Sequence, residues 1–304
     1  MVYTKKVIEI LNNYENTNAG VKANLGRILM SGGLGGTGKL LILPVDQGLE
    51  HGPDKSFFVN SPAYDPDYHY QLALEAKLSA YAAPYGFIEA GAERFAGQIP
   101  TILKINSSNG LNDQKYQSVN GSVRDALRLG CAAVGFTIYP GSDYQYDMIE
   151  EFKEISREAS DLGLPSVLWS YPRGGNISKE GETALDIIGY AAHIAAQLGA
   201  HIIKVKPPGL HLENKDLQNL FTEKTSKSLL SNRISHIKKC AFNSKRIVVF
   251  SGGNSKNTNE LLEEIKQINL GGGNGSIIGR NTFQRPKDEA INLLKEITEI
   301  YKIN

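Results

Sequence analysis

Short apolar runs rich in β-branched and aromatic residues recur along the whole chain, each followed closely by Gly, Pro, Asn or Ser. Such runs are typical of strands in a parallel sheet, because both faces of that sheet are covered by other elements. Eight runs are predicted to be strands: Leu40–Val45, Ala80–Tyr85, Thr101–Ile105, Ala132–Tyr139, Ser166–Trp169, His201–Val205, Arg246–Phe250 and Ser276–Ile278.

Helical periodicity fills most of the gaps between these runs. Apolar residues at i, i+3 and i+4 predict helices over Asp147–Leu162, Thr183–Leu198 and Asn259–Ile268, and a final helix over Lys287–Asn304. Successive strands start about 34 residues apart, which is the size of a βα unit. Eight units are more than a doubly wound sheet usually has, so they favour an α/β fold closed as a (β/α)8 TIM barrel.

The barrel is predicted to be one domain. No low-complexity linker interrupts residues 40–304, which form the predicted barrel, and residues 1–39 form an N-terminal extension that begins with a short amphipathic helix. The second unit is the least regular, because only 21 residues separate the starts of its strand and the next, Ala80 and Thr101. That length leaves room for a short helix only.

The charge balance excludes two classes of partner. The chain carries 33 Lys and Arg against 32 Asp and Glu, whereas nucleic acids and anionic membranes are bound through an excess of basic residues.

No apolar run approaches the ~20 residues that cross a bilayer, and the N-terminus does not resemble a signal segment. Cys131 and Cys240 form no CxxC pair, which favours a reducing compartment, so we expect a cytoplasmic protein.

A dense glycine run, SGGLGGTGKL, imitates nucleotide-binding loops. Gly33, Gly35 and Gly38 have GxGxxG spacing, and Gly38 with Lys39 completes GxxxxGK. Both motifs need a loop that follows a strand and opens a helix, but here a helical segment precedes the run and a strand follows it. Leu40 also occupies the position of the Ser or Thr that would hold Mg²⁺. An entry loop is therefore favoured, and a nucleotide-binding protein is the weaker alternative.

The sixth predicted strand carries two lysines. Alternation along HIIKVK puts Lys204 and Lys206 on the same face. Inside a barrel mouth, burial and a second nearby cation would both lower the pKa of a lysine and leave a nucleophilic amine. This arrangement suits Schiff-base chemistry, although lysines at a solvated strand end would give the same pattern.

Other strand ends carry chemically useful side chains that a barrel would bring to the same end. Two successive strands close to the C-terminus are followed by glycines and a cation, the usual layout of a phosphate site in this fold. For Trp169, substrate contact and core packing both stay open. The candidates are Asp46, His51, Lys104, Trp169, Tyr171, Arg173, Ser251, Gly252, Gly253, Gly279 and Arg280.

The motifs LILPVDQGLEHGP, ILKINSSN, VLWSYPRGG, GAHIIKVK, SGG and IIGR occur in this order. Together they resemble the archaeal-type class I fructose-bisphosphate aldolases and their bacterial members, from about Gly36 to the C-terminus. The resemblance implies a TIM barrel that reversibly cleaves fructose 1,6-bisphosphate into dihydroxyacetone phosphate and glyceraldehyde 3-phosphate. It further implies a lysine imine without a metal or other cofactor, and a homo-oligomer.

The resemblance also implies roles for single residues. Lys204, rather than Lys206, would form the imine, Tyr171 would donate and accept the proton, and Asp46 would contact the substrate. Trp169 would pack beside the reacting carbons. Family members use a glutamate shortly after the lysine, for which Glu213 is the candidate, although PPGLHLEN departs from the usual sequence there.

Phosphate binding is predicted at two places. One phosphate would bind the amides of Ser251–Gly253 and Gly279 together with Arg280, and Arg173 or lysines near the barrel mouth would bind the other. Arg173 or Lys206 would also help the Tyr171 phenol to act as a base.

Two enzymatic alternatives remain. A metal-dependent aldolase is disfavoured because the six histidines show no HxH or HExxH spacing, so no metal is expected. A Schiff-base aldolase or transaldolase acting on another phosphorylated ketose stays open, because the motif around the lysine is compatible with both.

Overall fold

The strands close into a barrel of eight parallel members. The structure is a computed structural model that describes residues 2–218, 221, 228–252 and 257–303. The strands are β1 Leu40–Pro44, β2 Ala80–Pro84, β3 Thr101–Lys104, β4 Asn106–Ser107, β5 Ser118–Val119, β6 Ala133–Ile138, β7 Ser166–Ser170, β8 Ile202–Val205, β9 Ile247–Ser251 and β10 Gly275–Ile277.

The order around the barrel is β1-β10-β9-β8-β7-β6-β3-β2, and β4 and β5 form a separate antiparallel pair. The eight predicted strands are the eight barrel strands, and no end differs by more than one residue. The predicted TIM barrel is thereby confirmed. The short β4–β5 pair was not predicted, because runs of two residues carry no periodicity.

The helices surround this barrel. The described helices are α1 Lys5–Leu11, α2 Ala19–Leu29, α3 Gln47–His51, α4 Pro53–Phe57, α5 Pro66–Glu75, α6 Tyr85–Ala92, α7 Val123–Arg128, α8 Gln145–Asp161, α9 Leu185–Gln197, α10 Leu230–Cys240, α11 Thr258–Leu270, α12 Arg280–Phe283 and α13 Lys287–Lys302. The second unit contains the short α6, as its spacing predicts. No helix in the described part of the chain is long and apolar enough to cross a bilayer.

Local sequence explains where several helices begin. Ser122 and Asp125 form a reciprocal capping box at the start of α7, and the side chains of Asn18 and Asn257 accept hydrogen bonds from the first turns of α2 and α11. In α8, Met148 and Phe152 lie on the buried face at i, i+4 spacing.

The N-terminal helices cover the N-terminal end of the barrel. Val7 and Leu25 belong to the same hydrophobic cluster as strand residues such as Ile42 and Val249. The Tyr14 hydroxyl donates to the His201 carbonyl oxygen at 2.6 Å. This extension therefore packs on the strands at the end opposite to the predicted site, and a domain boundary between residues 39 and 40 stays a prediction.

The glycine run links α2 to β1, so helix precedes strand as the sequence predicts. Gly32, Gly36 and Gly38 have φ of 72°, 86° and 78°, a region that favours glycine. A Cβ on Gly32 would lie 2.3 Å from the Lys77 carbonyl oxygen. The turn itself therefore requires these glycines.

Candidate active site

A cavity of about 470 Å³ opens at the C-terminal ends of the barrel strands, and its size suits a small-molecule ligand. It brings together most of the predicted site residues. Those that line it are Asp46, His51, Tyr171, Arg173, Lys204, Lys206, Ser251, Gly252, Gly279 and Arg280. Lys104, Trp169 and Glu213 are not in its lining, and Gly253 lies outside the described residues.

Lys204 lies near the end of β8, and only 5% of the residue is exposed. Its Nζ atom is 5.4 Å from the ring centroid of Trp169 and 5.4 Å from that of Tyr171. Strand β8 pairs with β7 so that Lys204 lies opposite Trp169. The amine is thereby enclosed between two aromatic rings while it still borders the cavity.

The pKa of Lys204 is lowered to about 8, chiefly by burial; the carboxylates Asp46 and Glu50 act in the opposite direction, and the positive charges of Lys104 and Arg280 contribute to the lowering. The sequence predicts this lowering but assigns the neighbouring cation to Lys206. Strand alternation had suggested Lys206, yet the contributing cations come from across the barrel. A substantial fraction of Lys204 is a neutral, nucleophilic amine near neutral pH.

Lys104 and Trp169 lie deeper in the barrel. Lys104 is 1% exposed and donates to the side chains of Asn106 at 3.2 Å and Gln117 at 2.8 Å, and its Nζ is 5.9 Å from the Trp169 ring centroid. A Cβ on Gly135 of β6 would lie 2.6 Å from the Trp169 ring, so the indole needs glycine beside it. These residues support the floor beneath Lys204.

Tyr171 follows the end of β7 and lines the cavity. Burial raises the pKa of its phenol well above 10, and the nearby carboxylates Asp46 and Glu50 raise it further. The charge of Arg173 and a hydrogen bond from the Ser251 side chain act in the opposite direction. The resting phenol is therefore protonated, because the effect of Arg173, a cation predicted to assist it, is smaller than the effects of burial and the two carboxylates.

Glu50 is the main site residue that the sequence analysis missed. It lies on α3, four residues after Asp46, and accepts a hydrogen bond from Gln117 Nε2 at 2.9 Å. Burial and the charge of Asp46 raise its pKa, while Lys104 lowers it. The i, i+4 spacing of two acids after a strand is the signal that could have found it.

His51, the residue after Glu50, has a lowered pKa because of partial burial and the charge of Arg280.

The predicted phosphate side of the cavity is formed by the ends of β9 and β10. Ser251, Gly252, Gly279 and Arg280 all line it, together with Asn281, whose Nδ2 donates to the Gly252 carbonyl oxygen at 3.2 Å. A Cβ on Gly279 would lie 2.7 Å from the Pro44 carbonyl oxygen. Close packing against Pro44 therefore requires glycine at this position, whether or not its amide contacts a ligand.

Lys206 lies toward the cavity rim, where its Nζ is 3.4 Å from Glu182 Oε2. Lys179 pairs with the same carboxylate at 3.0 Å, and its side chain is 89% exposed. Lys206 has a lowered pKa, chiefly because of burial. Lys204 on β8 and Lys206 just after it thus have different surroundings, and only Lys204 lies close to the rings of Trp169 and Tyr171.

Glu213 joins the loop that follows β8 to the loop that follows β7. Its carboxylate accepts hydrogen bonds from the Ser178 amide at 2.7 Å and the Ser178 hydroxyl at 2.8 Å, and it lies 3.0 Å from His211 Nε2. These bonds to Ser178 keep its pKa below the ordinary value. The carboxylates that do reach the cavity are Asp46, Glu50 and Glu182.

Charge in the cavity suits an anionic ligand. Its lining contains six cationic side chains, Lys115, Arg173, Lys179, Lys204, Lys206 and Arg280, against the three carboxylates. Lys115 was missed by the sequence analysis because it lies in the long connection between β3 and β6, far from the end of any barrel strand. In the described ranges, no three His, Cys, Asp or Glu residues are grouped as metal ligands would be.

Comparison with known proteins agrees with this geometry. Residues 40–285 match the family model described as DeoC/LacD family aldolase. The chain is 37% identical over 297 residues to the probable fructose-bisphosphate aldolase class 1 of Chlamydia muridarum, covering 93% of this chain and 85% of the relative. It is 36% identical to the fructose-bisphosphate aldolase class 1 of Thermoproteus tenax, with 86% and 89% coverage.

A solved structure extends the likeness to three dimensions. An archaeal fructose-1,6-bisphosphate aldolase, with its catalytic lysine covalently bound to the carbinolamine intermediate of the substrate, superimposes with a TM-score of 0.74 and 31% identity. The match covers 96% of this chain and 99% of that one. With the barrel, the buried lysine and these matches together, the chain belongs to the DeoC/LacD aldolase family.

Proposed function

We propose that this protein is a class I fructose-bisphosphate aldolase, which reversibly cleaves fructose 1,6-bisphosphate into dihydroxyacetone phosphate and glyceraldehyde 3-phosphate. The observation that carries the proposal is Lys204, a buried amine of lowered pKa beside a phenol and a cation-rich cavity. The named relatives support the substrate.

The first step is formation of the imine. The neutral amine of Lys204 attacks the ketone carbon of the substrate, and the carbinolamine takes up one proton from solvent as it loses water, which gives a protonated imine. That cation withdraws the electron pair of the bond between the third and fourth carbons. Because the imine supplies this electron sink, the reaction requires no metal or other cofactor.

The second step is cleavage, for which Tyr171 is the proposed proton carrier. The positive imine favours release of the phenol proton to solvent, and the resulting phenolate takes the proton of the fourth-carbon hydroxyl as the carbon bond breaks. Glyceraldehyde 3-phosphate leaves, and an enamine remains on Lys204. Tyr171 then returns that proton to the third carbon. Hydrolysis of the protonated imine releases dihydroxyacetone phosphate and the neutral Lys204 amine, and the proton set free restores the phenol. The positive imine offsets the carboxylates Asp46 and Glu50 that otherwise hold the phenol proton.

The remaining residues bind and orient the substrate. Ser251, Gly252, Gly279 and Arg280 would hold one phosphate, and Arg173 the other, at the rim. Asp46 and His51 would contact the sugar hydroxyls, and Lys206 would add positive charge beside Glu182. Lys104 and Trp169 position Lys204 from below, and Glu213 positions the loop that begins after Arg173.

Location and assembly form part of the same proposal. Cys131 and Cys240 are free thiols in the structure, which suits a reducing compartment such as the cytoplasm. The resemblance to the archaeal-type aldolases supports a homo-oligomer.

Borohydride trapping tests the proposed function directly. The protein is incubated with fructose 1,6-bisphosphate or dihydroxyacetone phosphate, reduced, digested and mapped by mass spectrometry. We expect one adduct, on the peptide that contains Lys204. If the same adduct forms but the protein cleaves another phosphorylated ketose and not fructose 1,6-bisphosphate, a different Schiff-base aldolase is favoured. Absence of any adduct would contradict the proposal.

The pH dependence of imine formation follows from the lowered pKa of Lys204. With a pKa of about 8, roughly a quarter of the amine is neutral at pH 7.5, against ~0.1% for an ordinary lysine at ~10.4. The trapping rate at low substrate concentration should rise as pH increases through about 8 and then level off. An inflection near 10 would show that Lys204 is not the reacting amine.

Arg280→Met should weaken phosphate binding. Loss of a charge-assisted contact is expected to raise KM for fructose 1,6-bisphosphate ~10- to 100-fold, with a smaller change in kcat. Lys179→Met is the control, because Lys179 also borders the cavity but is 89% exposed. Equal KM values in the two variants would remove Arg280 from the phosphate site.

A further inference from the structure

A second and larger cavity, of about 1060 Å³, lies at the end of the barrel opposite to the candidate active site. The glycine run that precedes β1 forms part of its wall, and residues of α1, α10, α11 and α13 and of the loops beside them supply the rest. Its lining includes Gly36, Thr37, Gly38, Lys39, Lys238 and Asn274. The sequence motif that imitates a nucleotide loop thus borders a real cavity.

Positive charge dominates this cavity. Five lysines line it and no arginine does, and Glu9 is the only carboxylate in the lining formed by the described residues. The three outer lysines each have an acidic neighbour on their own helix. These pairs are Lys6 with Glu9, Lys266 with Glu263, and Lys302 with Glu299.

The two inner lysines have no such neighbour. Lys39 Nζ donates to the Gly273 carbonyl oxygen at 2.8 Å, and Lys238 Nζ donates to the Arg246 carbonyl oxygen at 2.9 Å and to Asn274 Oδ1. All three acceptors are neutral. Within the described ranges no carboxylate lies at ion-pair distance from Lys39 or Lys238.

This arrangement of two buried amines is electrostatically costly. Lys238 is only 5% exposed, and burial together with the charges of Lys39 and Lys6 lowers its pKa to about 7. Burial and the charge of Lys6 lower the pKa of Lys39 to about 8. A bound anion would relieve this repulsion and restore the charged form of both amines.

We propose that this cavity binds a small molecule carrying phosphate groups, at a site separate from the catalytic one. A phosphate group is favoured because a lysine ammonium binds phosphate as a point charge, without the bidentate fork that arginine offers to carboxylates and phosphates alike. The volume accommodates at least two phosphate groups with an organic portion. Lys39 and Lys238 form the centre of the site, and Lys6, Lys266 and Lys302 surround it.

Inorganic pyrophosphate is the probe for the test. Titration calorimetry is performed on an Arg173→Met/Arg280→Met background, which lacks the arginines of the catalytic cavity and so reduces binding there. We expect binding of one pyrophosphate per chain, and an affinity ~10-fold or more lower when Lys39→Met and Lys238→Met are added. Lys295→Met, an exposed lysine on α13 outside the cavity, is the matched control and should leave the affinity unchanged.

The pH dependence provides a readout that a purely structural role would not change. Affinity in the background protein should fall as pH rises from 6.5 to 9, because the two inner amines lose their protons, although pyrophosphate itself gains charge over this range. Orthophosphate should bind more weakly, which separates a diphosphate site from one for free phosphate. If the double lysine variant does not fold, the single variants carry the same comparison. Affinity that is unchanged by removal of either lysine would overturn the proposal.

Discussion

Lys204→Met is expected to lower turnover of fructose 1,6-bisphosphate by on the order of 10⁴-fold or more, because the variant has no amine that can form the imine. Methionine has a similar length and suits the apolar rings of Trp169 and Tyr171, so the fold should persist. Steady-state cleavage and borohydride trapping measure the two consequences. Both activity and the adduct on this peptide should disappear.

Lys206→Met is the matched control for that variant. Lys206 lies two residues further along the same face, but its Nζ pairs with Glu182 at the rim. The control should keep the Lys204 adduct and most of the maximal rate, with some increase in KM. An adduct that moves to Lys206 or Lys104, or turnover that survives in Lys204→Met, would show that another lysine is the nucleophile.

Tyr171→Phe is expected to retain imine formation and to slow cleavage by ~10²- to 10⁴-fold, the usual contribution of a positioned acid or base. The substitution removes one hydroxyl and keeps the ring that lies 5.4 Å from Lys204 Nζ. Trapping with dihydroxyacetone phosphate should therefore still label Lys204. Solvent exchange of the proton at the third carbon should be slowed together with cleavage, since the same phenol serves both steps.

Tyr139→Phe controls for the loss of a hydroxyl in the same cavity. Tyr139 also borders the cavity, and its hydroxyl accepts a hydrogen bond from Gln117 at 2.6 Å. A much smaller effect is expected there, because that hydroxyl is bonded to a side-chain amide and the Tyr139 ring lies against the Arg173 guanidinium, 4.8 Å from ring centroid to Cζ. Wild-type cleavage in Tyr171→Phe would show that another group carries the proton. Glu50 would then be the candidate, because its carboxyl borders the cavity and has a raised pKa.

The barrel could be predicted from the sequence because each strand is covered on both faces. All five residues of β1 are buried, for example, so its run LLILP shows no alternation and has clear ends. The spacing of about 34 residues between successive strand starts then gave the number of βα units. The β4–β5 pair escaped prediction, since its pairing depends on how the connection between β3 and β6 folds back over the barrel.

The candidate site was predictable where a residue adjoins a strand end. Asp46, Tyr171 and Lys204 all do, and the topology alone brings such positions to one end of the barrel. Glu50 and Lys115 were missed because they lie on a short helix and in a long connection. Strand ends alone do not indicate such positions, and for Lys115 only the fold of the connection brings the side chain to the cavity.

Electrostatic partners were the least predictable part. The lowered pKa of Lys204 was expected, but the cations that contribute to it are Lys104 on β3 and Arg280 at the start of α12, rather than Lys206. In the same way, Lys39 was an apparent nucleotide-loop residue in the sequence. Only the fold shows that it shares a cavity with Lys238, which is 199 positions later in the chain.

By itself the sequence determined the eight-unit barrel, the end of the barrel at which chemistry was to be sought, and the pair of lysines from which a nucleophile would come. These follow from period, run length and strand alternation, which are local properties. The tertiary structure decided which lysine lies between two aromatic rings, that Glu50 rather than Glu213 reaches the cavity, and that a second lysine-lined cavity exists. Such facts depend on burial and on charges from distant segments, which act through space and leave no local pattern.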